Sequence, residues 1–262
     1  MDAREGIDFL AGSDGRIAVL RELAEGPCRP CELRDRTGAS RTAIHRALSG
    51  AEEYGWVRKQ EQRYSLTGAG RHVFRKYEEL TTAVERGNRF SDFLSAFGRA
   101  DDLPFPFDGD VCVSTPTEPQ AAETFLFERF PANADRFRGF SPVLTQRLVD
   151  SFEPTIEAGT TVELVYSEDF ASHMQDSYPG MVELAVSSEG VTIHVVPDPI
   201  DSGLALIDGE VFLKAYGSHG DLRACLHSAD ADLFEWAAGW FDRKSSDSVP
   251  LSRYTEGVRP PG

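Results

Sequence analysis

Apolar residues recur at helical spacing through the first quarter of the chain. Ile17, Leu20, Leu23 and Ala24 share one face of a stretch that Ser13 can cap and Gly26-Pro27 would stop, which predicts a helix over 13–25. A second, short helix over 30–37 turns Leu33 inward and ends at Gly38. Ala39 and Ser40 then turn the chain, and Ser40 caps a third helix whose Ile44, Ala47, Leu48 and Ala51 fall at i, i+3, i+4, i+7. Gly55 closes that helix, after which residues 56–60 and 63–66 read as two strands joined at Glu61-Gln62. Thr67 opens a longer helix with Val73, Tyr77, Leu80 and Val84 spaced 4, 3, 4, the spacing of a helix-packing seam and hence of a dimer stalk. Gly87-Asn88 is expected to interrupt it. Phe90, Phe93, Leu94 and Phe97 would then form a separate amphipathic helix before the Asp101-Asp102-Leu103-Pro104 break.

Beyond residue 104 the pattern changes to alternating strands and helices. Strands are expected at 111–114, 138–140, 162–166 and 191–196, with helices opened by Pro119, over 144–157, around 170–174 and over 230–243. Such alternation predicts an α/β domain with a partly parallel sheet. Residues 204–207 and 211–213 flank Asp208-Gly209, a hairpin turn signal, so at least one pair is antiparallel and the sheet is mixed. The fold class is therefore α+β to α/β. It comprises a winged helix-turn-helix domain over 1–66, a helical linker with dimerisation over 67–100, an α/β domain over 101–245, and a flexible tail over 246–262.

Length and composition fit this division, since a chain of 262 residues with 40% hydrophobic and 27% charged side chains can fill two ordinary cores. No apolar run is long enough to span a bilayer, and the acidic start differs from a signal peptide, so a cytoplasmic chain without membrane contact is expected. The charge is uneven. Up to Glu78 there are 14 Lys+Arg against 12 Asp+Glu, a net of +2; from Glu79 on, 13 against 31 give −18. Only the N-terminal end can approach a polyanion comfortably.

That end also carries the right donors. The major groove of B-DNA admits one helix and presents acceptors on guanine and an acceptor-donor pair on adenine. On the third helix, Ser40 as cap and Arg41, Thr42, His45 and Arg46 on the polar face place donors where a recognition helix needs them, with Arg41 the first choice for a bidentate base contact. Phosphate contacts are expected from Arg34 and Arg36 before the turn and from Arg58, Lys59 and Arg63 on the wing, with Gln62 at its tip. The competing interpretation is a solvated basic face of a small helical domain. The order helix, helix, turn, capped helix, hairpin favours DNA.

The segment ELRDRTGASRTAIHRALSGAEEYGWVRKQEQRYSLTGAG, within residues 16–66, resembles the winged-helix domain of archaeal transcription regulators. The whole chain is similar to archaeal regulators with a sensor-like α/β domain, of the TrmB-like and methanogenesis-regulatory families. In the second half that likeness rests on the GLALIDGEVFLKAY hairpin and the LFEWAAGWF helix. The excess of acid and the presence of only four lysines likewise resemble proteins of salt-loving archaea, although an ordinary acidic bacterial protein has the same composition. The resemblance implies double-stranded DNA as partner, a homodimer, and a second domain that binds a small-molecule effector or mediates assembly.

Some relatives have a sheet similar to that of phospholipase D, whose chemistry needs a Lys two residues after a His. Neither His173, His194, His219 nor His227 is followed by one at that spacing. G-x-S-x-G, G-x-x-x-x-G-K and H-E-x-x-H are likewise absent, so neither an enzyme nor a cofactor is expected. A ligand would sit beyond the carboxyl ends of parallel strands, near Thr115, Arg138, Ser141, Tyr166, Ser167 and Asp198. Ser167 has the alternative role of capping a helix and Asp198 that of opening a turn. Cys28 and Cys31 form a C-x-x-C that could hold half a zinc site or a redox pair, but no second such pair supplies the remaining ligands. Incidental small residues are the other reading. The leading expectation is a sequence-specific homodimeric regulator; its rivals are an architectural DNA-coating protein, which the acidic second half opposes, and a protein-binding adaptor, which would have no use for the basic reading helix.

Overall fold

A computed structural model describes residues 2–131, 134–157, 159–180, 182, 188 and 190–251. It divides into two compact units, Met1–Glu85 and Arg86–Gly262. The division falls inside the expected linker of 67–100 rather than after it.

The first unit opens with a helix that the apolar pattern did not announce, α1 (Ala3–Ala11). Asp2 and Glu5 form a capping box at its start. Its contribution to packing comes from Leu10, which is buried, and from Phe9, whose ring lies 5.1 Å from Tyr54 and 5.9 Å from Trp56. Next come α2 (Asp14–Glu25), α3 (Pro30–Thr37) and α4 (Arg41–Glu53), followed by the hairpin β1 (Val57–Gln60) and β2 (Arg63–Leu66). The caps are those expected: the Ser13 hydroxyl accepts from Arg16 N and the Ser40 hydroxyl from Ala43 N. Gly38 takes φ 68°, a left-handed conformation that lets the chain leave α3 and enter α4 without strain. Ile17, Leu20, Leu23, Leu33, Ile44, Leu48, Val57 and Leu66 converge in one core. Cys28 pairs with Tyr64 through both backbone hydrogen bonds, 3.0 and 2.8 Å, and so adds a one-residue third rung to the wing.

Thr67 caps α5 (Gly68–Ala96) as expected, but this helix runs through Gly87-Asn88 without a break. A glycine inside a helix costs only about 1 kcal/mol relative to alanine. Against that, Phe90, Phe93 and Phe97 are each at most 2% exposed in the second unit's core, and burying one large side chain contributes about 1.5–3 kcal/mol. Earlier on α5, Val73 and Tyr77 pack against the first unit's core, whereas Leu80 and Val84 are exposed.

The second unit is built on a mixed sheet, eight-stranded among the described residues: β3 (Asp110–Val113), β4 (Arg136–Phe140), β5 (Thr161–Ser167), β6 (Val191–Val196), β7 (Ser202–Ile207), β8 (Glu210–Tyr216), β9 (Leu222–Ser228) and β10 (Val249–Pro250). Their order is β10-β6-β5-β4-β7-β8-β9-β3. Among the described residues β4, β5 and β6 run parallel to one another, and the other pairings are antiparallel. Asp208 (φ 46°) and Gly209 (φ 94°) make the tight turn between β7 and β8 that their sequence predicts. One face of the sheet buries Leu204, Leu206, Val211 and Leu213 against the end of α5 and the last helix, α9 (Ala231–Ser245). The other buries Val162, Leu164, Ile193 and Phe212 against α6 (Ala121–Arg129), α7 (Gln146–Glu157) and α8 (Glu168–Ser177). β9 was not expected from the pattern. Nor was β10, which corrects the flexible tail: Val249 and Pro250 pair with β6 and Leu251 is buried, while residues 252–262 of that tail lie outside the described residues.

Candidate nucleic-acid interface

Helix α4 separates its faces cleanly. Ile44, Ala47, Leu48 and Ala51 are at most 3% exposed, while Arg41, Thr42, His45, Arg46 and Ser49 face out. No acidic residue lies on the first three turns of the helix, from Arg41 to Gly50. Its positive N-terminal end is thus reinforced by two guanidinium groups rather than neutralised.

Around this face the structure gathers part of the expected set. Arg34, Arg41 and His45 line one shallow concavity with Pro30 and Cys31. His45 also lines an adjoining one with Lys59, Gln62 and Arg29. The recognition face, the α3 terminus and the wing therefore share a continuous surface. Arg29 was missed in the sequence because it lies between Cys28 and Cys31, where the spacing suggested metal chemistry. Its position just before Pro30, which starts α3, is the signal that places it at the helix end.

Two expected phosphate contacts are occupied within the protein. Arg36 pairs with Glu22 at 3.2 Å, and the glutamate beside it holds the guanidinium charged beyond its ordinary range. Arg63 donates to Pro27 O at 2.7 Å and pairs with Glu32 at 3.3 Å, fastening the wing to the start of α3. Glu32 is in turn held below the usual carboxylate range, first by the backbone N–H of Arg29. Arg34 pairs with the adjacent Asp35 of its own helix at 3.0 Å, so that, unlike the pairs of Arg36 and Arg63, this one ties no second element down. Arg58 reaches Ser65 at 3.4 Å across the hairpin, and Lys59 lies 5.6 Å from the Tyr64 ring centre.

Cys28 is buried, with its thiol pushed up by burial and lying 3.7 Å from Arg36, whereas Cys31 is exposed. Among the described residues no group of three or more His, Cys, Asp or Glu side chains could hold a metal ion. The Cys28 side chain lies in the first unit's core, and its backbone forms the rung to Tyr64.

The expected ligand residues of the second unit do not come together. β3 is an antiparallel edge strand, so Thr115 closes a turn with Glu118 instead of standing at the mouth of a parallel sheet. Arg138 pairs with Asp242 on α9 at 3.0 Å, while Tyr166 is buried in the opposite core, stacked on Phe170. Ser167 caps α8 by accepting from Phe170 N, the alternative role foreseen for it. Asp198 is exposed in the turn after β6. Ser141 alone remains of interest, since its buried hydroxyl lies 2.9 Å from that of Tyr216.

Against known families, residues 4–89 match the HVO_A0261 N-terminal domain, and residues 119–247 match the middle domain of the methanogenesis regulatory protein FilR1. The FilR1-type domain takes in everything from just before α6 to just beyond α9, and the HVO_A0261-type domain contains the whole interface described above. The resemblance to archaeal regulators of the methanogenesis-regulatory kind is thereby borne out. No curated protein matches. Among solved structures, TrmBL2, an archaeal chromatin protein, is 12% identical over 90% of this chain and 94% of its own, with a TM-score of 0.43. Quinone-bound YodB from B. subtilis is 22% identical over 31% of this chain and 94% of its own, at 0.29. Phosphatidylserine synthase from Haemophilus influenzae Rd KW20 is 12% identical over 84% of this chain and 48% of its own, at 0.41. At such scores these likenesses carry no weight for function. No helix among the described residues is long and apolar enough to cross a membrane.

Proposed function

We propose that this chain is a sequence-specific, DNA-binding transcriptional regulator, with α4 as the helix that enters the major groove. The observation that carries this reading is the outward face of α4: Arg41, Thr42, His45 and Arg46 present donors over the first two turns, on a helix anchored from behind by four buried apolar residues. Arg34, Arg29 and Lys59 flank that face and would hold phosphates on either side. Arg36 and Arg63, bound to Glu22 and Glu32, hold the reading head together instead.

A single recognition helix covers only a few base pairs, so specific reading calls for two copies on two half-sites. Leu80 and Val84, 56% and 52% exposed and one helical turn apart on α5, are the surface we assign to the second copy. The FilR1-type unit would sense an effector rather than catalyse a reaction. A genome-wide footprint tests the whole reading: a few sharp sites are expected, broad coverage would mean an architectural protein, and none would mean an adaptor.

A further inference from the structure

Strand β8 alternates between the two cores of its unit, with Val211, Leu213 and Ala215 on the α9 side and Phe212 on the α6 side. The next position on the α6 side is Lys214, only 5% exposed in a strand otherwise apolar from Val211 to Ala215. Lysine is almost never so deeply buried without a partner. Yet among the described residues its ammonium has neither an ion pair nor a hydrogen bond, and no buried side-chain nitrogen or oxygen there is sealed without a partner. Lys214 forms part of the wall of a cavity of about 220 Å³.

The surroundings are shaped around this side chain. Gly203 lies opposite Lys214 in β7, and a Cβ there would stand 2.6 Å from Lys214 Cε and 3.0 Å from the Tyr216 ring, so only glycine leaves room for the stem. Burial pushes the lysine down to about 8, which leaves it mostly charged at neutral pH. The Cys225 thiol close to it is pushed up to about 12 by its own burial and stays neutral, so it is no counter-ion.

We propose that this cavity is a binding site for a small monocarboxylic acid, whose carboxylate pairs with Lys214 and whose apolar body lies against Leu126, Phe127 and Leu148. Those three residues, from α6 and α7, form the apolar wall. Glu123 and Asp221 line the same cavity without reaching Lys214, and they oppose a second negative charge on the ligand. Tyr216, held by Ser141, offers a hydroxyl beside the lysine. The proposal rests on the sensing role inferred above only for its biological meaning; the binding itself needs no DNA.

Isothermal titration of the full chain with butyrate, 4-methylpentanoate and phenylacetate, with phenylacetamide and phenyl phosphate as controls, tests it. At least one of the monocarboxylates is expected to bind saturably, at one site per chain and at least tenfold more tightly than both controls. Lys214→Met should abolish that binding and raise Tm, because methionine keeps the stem and removes the unpaired charge. Gly203→Ala should weaken binding at least tenfold by displacing the stem. Absence of binding by all three acids, equal binding by Lys214→Met, a lower Tm for Lys214→Met, or tighter binding of phenyl phosphate would each overturn the site. DNA binding measured on the same samples reports separately on the regulator reading.

Discussion

Arg41 and Lys59 both present exposed cationic heads to one surface, yet they belong to elements with different tasks. Arg41 stands on the first turn of α4, the proposed reading helix, where a guanidinium could grip guanine with two hydrogen bonds, whereas Lys59 is a point charge on the wing. Arg41→Ala is therefore expected to cost about 1–3 kcal/mol at the best site and to relax selectivity at one base pair, while Lys59→Ala weakens all sequences alike. Fluorescence anisotropy on a matched and a scrambled duplex checks this; equal losses on both duplexes for both variants would contradict the division of roles. Lys214 makes a different kind of prediction. Because its value is lowered from 10.5 to about 8 in the folded chain, the fold gives up this proton before the unfolded chain does. Between those values the unfolded state binds more protons, so the lysine's contribution to stability rises with pH. The groups that face it are Cys225 on β9, Tyr216 on its own strand, Glu123 on α6 and Asp221 in the β8–β9 turn. Lys214→Met lacks the rise, so its lead in stability is expected to be greatest at pH 7–8 and to shrink toward pH 10, by up to about 3 kcal/mol. Denaturant melts across that range measure it, and a pH-independent difference would contradict the burial of an unpaired charge.

At the scale of elements, local signals were most legible where they agreed with the packing. Ser40, Gly38 and the Ile44, Ala47, Leu48, Ala51 stripe together specify α4, and Asp208-Gly209 specifies the β7–β8 turn. Ser40→Ala is accordingly expected to destabilise the first unit by about 1 kcal/mol, read as a shift in its denaturation midpoint. The misses have physical causes. Gly87 is a weak breaker set against three buried phenylalanines, so α5 continues. α1 buries only Gly6 and Leu10, too few positions for a period to show. β9 and β10 are defined by their partners, β8, β3 and β6, rather than by their own pattern. The same limit applies to the sites: a sequence displays the basic residues of α4 and the wing, but not that Arg36 and Arg63 are turned to Glu22 and Glu32. The ligand residues were placed on the assumption that β3 is parallel, and its antiparallel edge position removed Thr115 from any shared pocket. Lys214 was visible as a charge inside an apolar strand; its lack of a partner among the described residues was not. On α5, Leu80→Glu with Val84→Glu should convert the proposed dimer into a monomer with little change in Tm, since neither side chain is buried in its own chain. Light scattering would show an unchanged mass if the second copy docks elsewhere.

For the whole molecule, the contrast in charge sets what kind of DNA binding is sustainable. A net of +2 up to Glu78 (14 − 12) is joined to −18 beyond it (13 − 31), so non-specific attraction is confined to the reading head. Affinity should fall with salt through the few phosphate contacts proposed for Arg29, Arg34 and Lys59, and binding should be discrete along DNA rather than spread out. In a chain that reads sequence as proposed, specificity must then come from α4. Selection of binding sites from random duplex DNA by the intact chain and by its Arg41→Ala variant tests it most directly. One enriched sequence is expected for the unaltered protein, with loss of preference at a defined base pair in the variant and the flanking positions retained. Enrichment of no sequence by the unaltered protein, or the same preference in both, would contradict it.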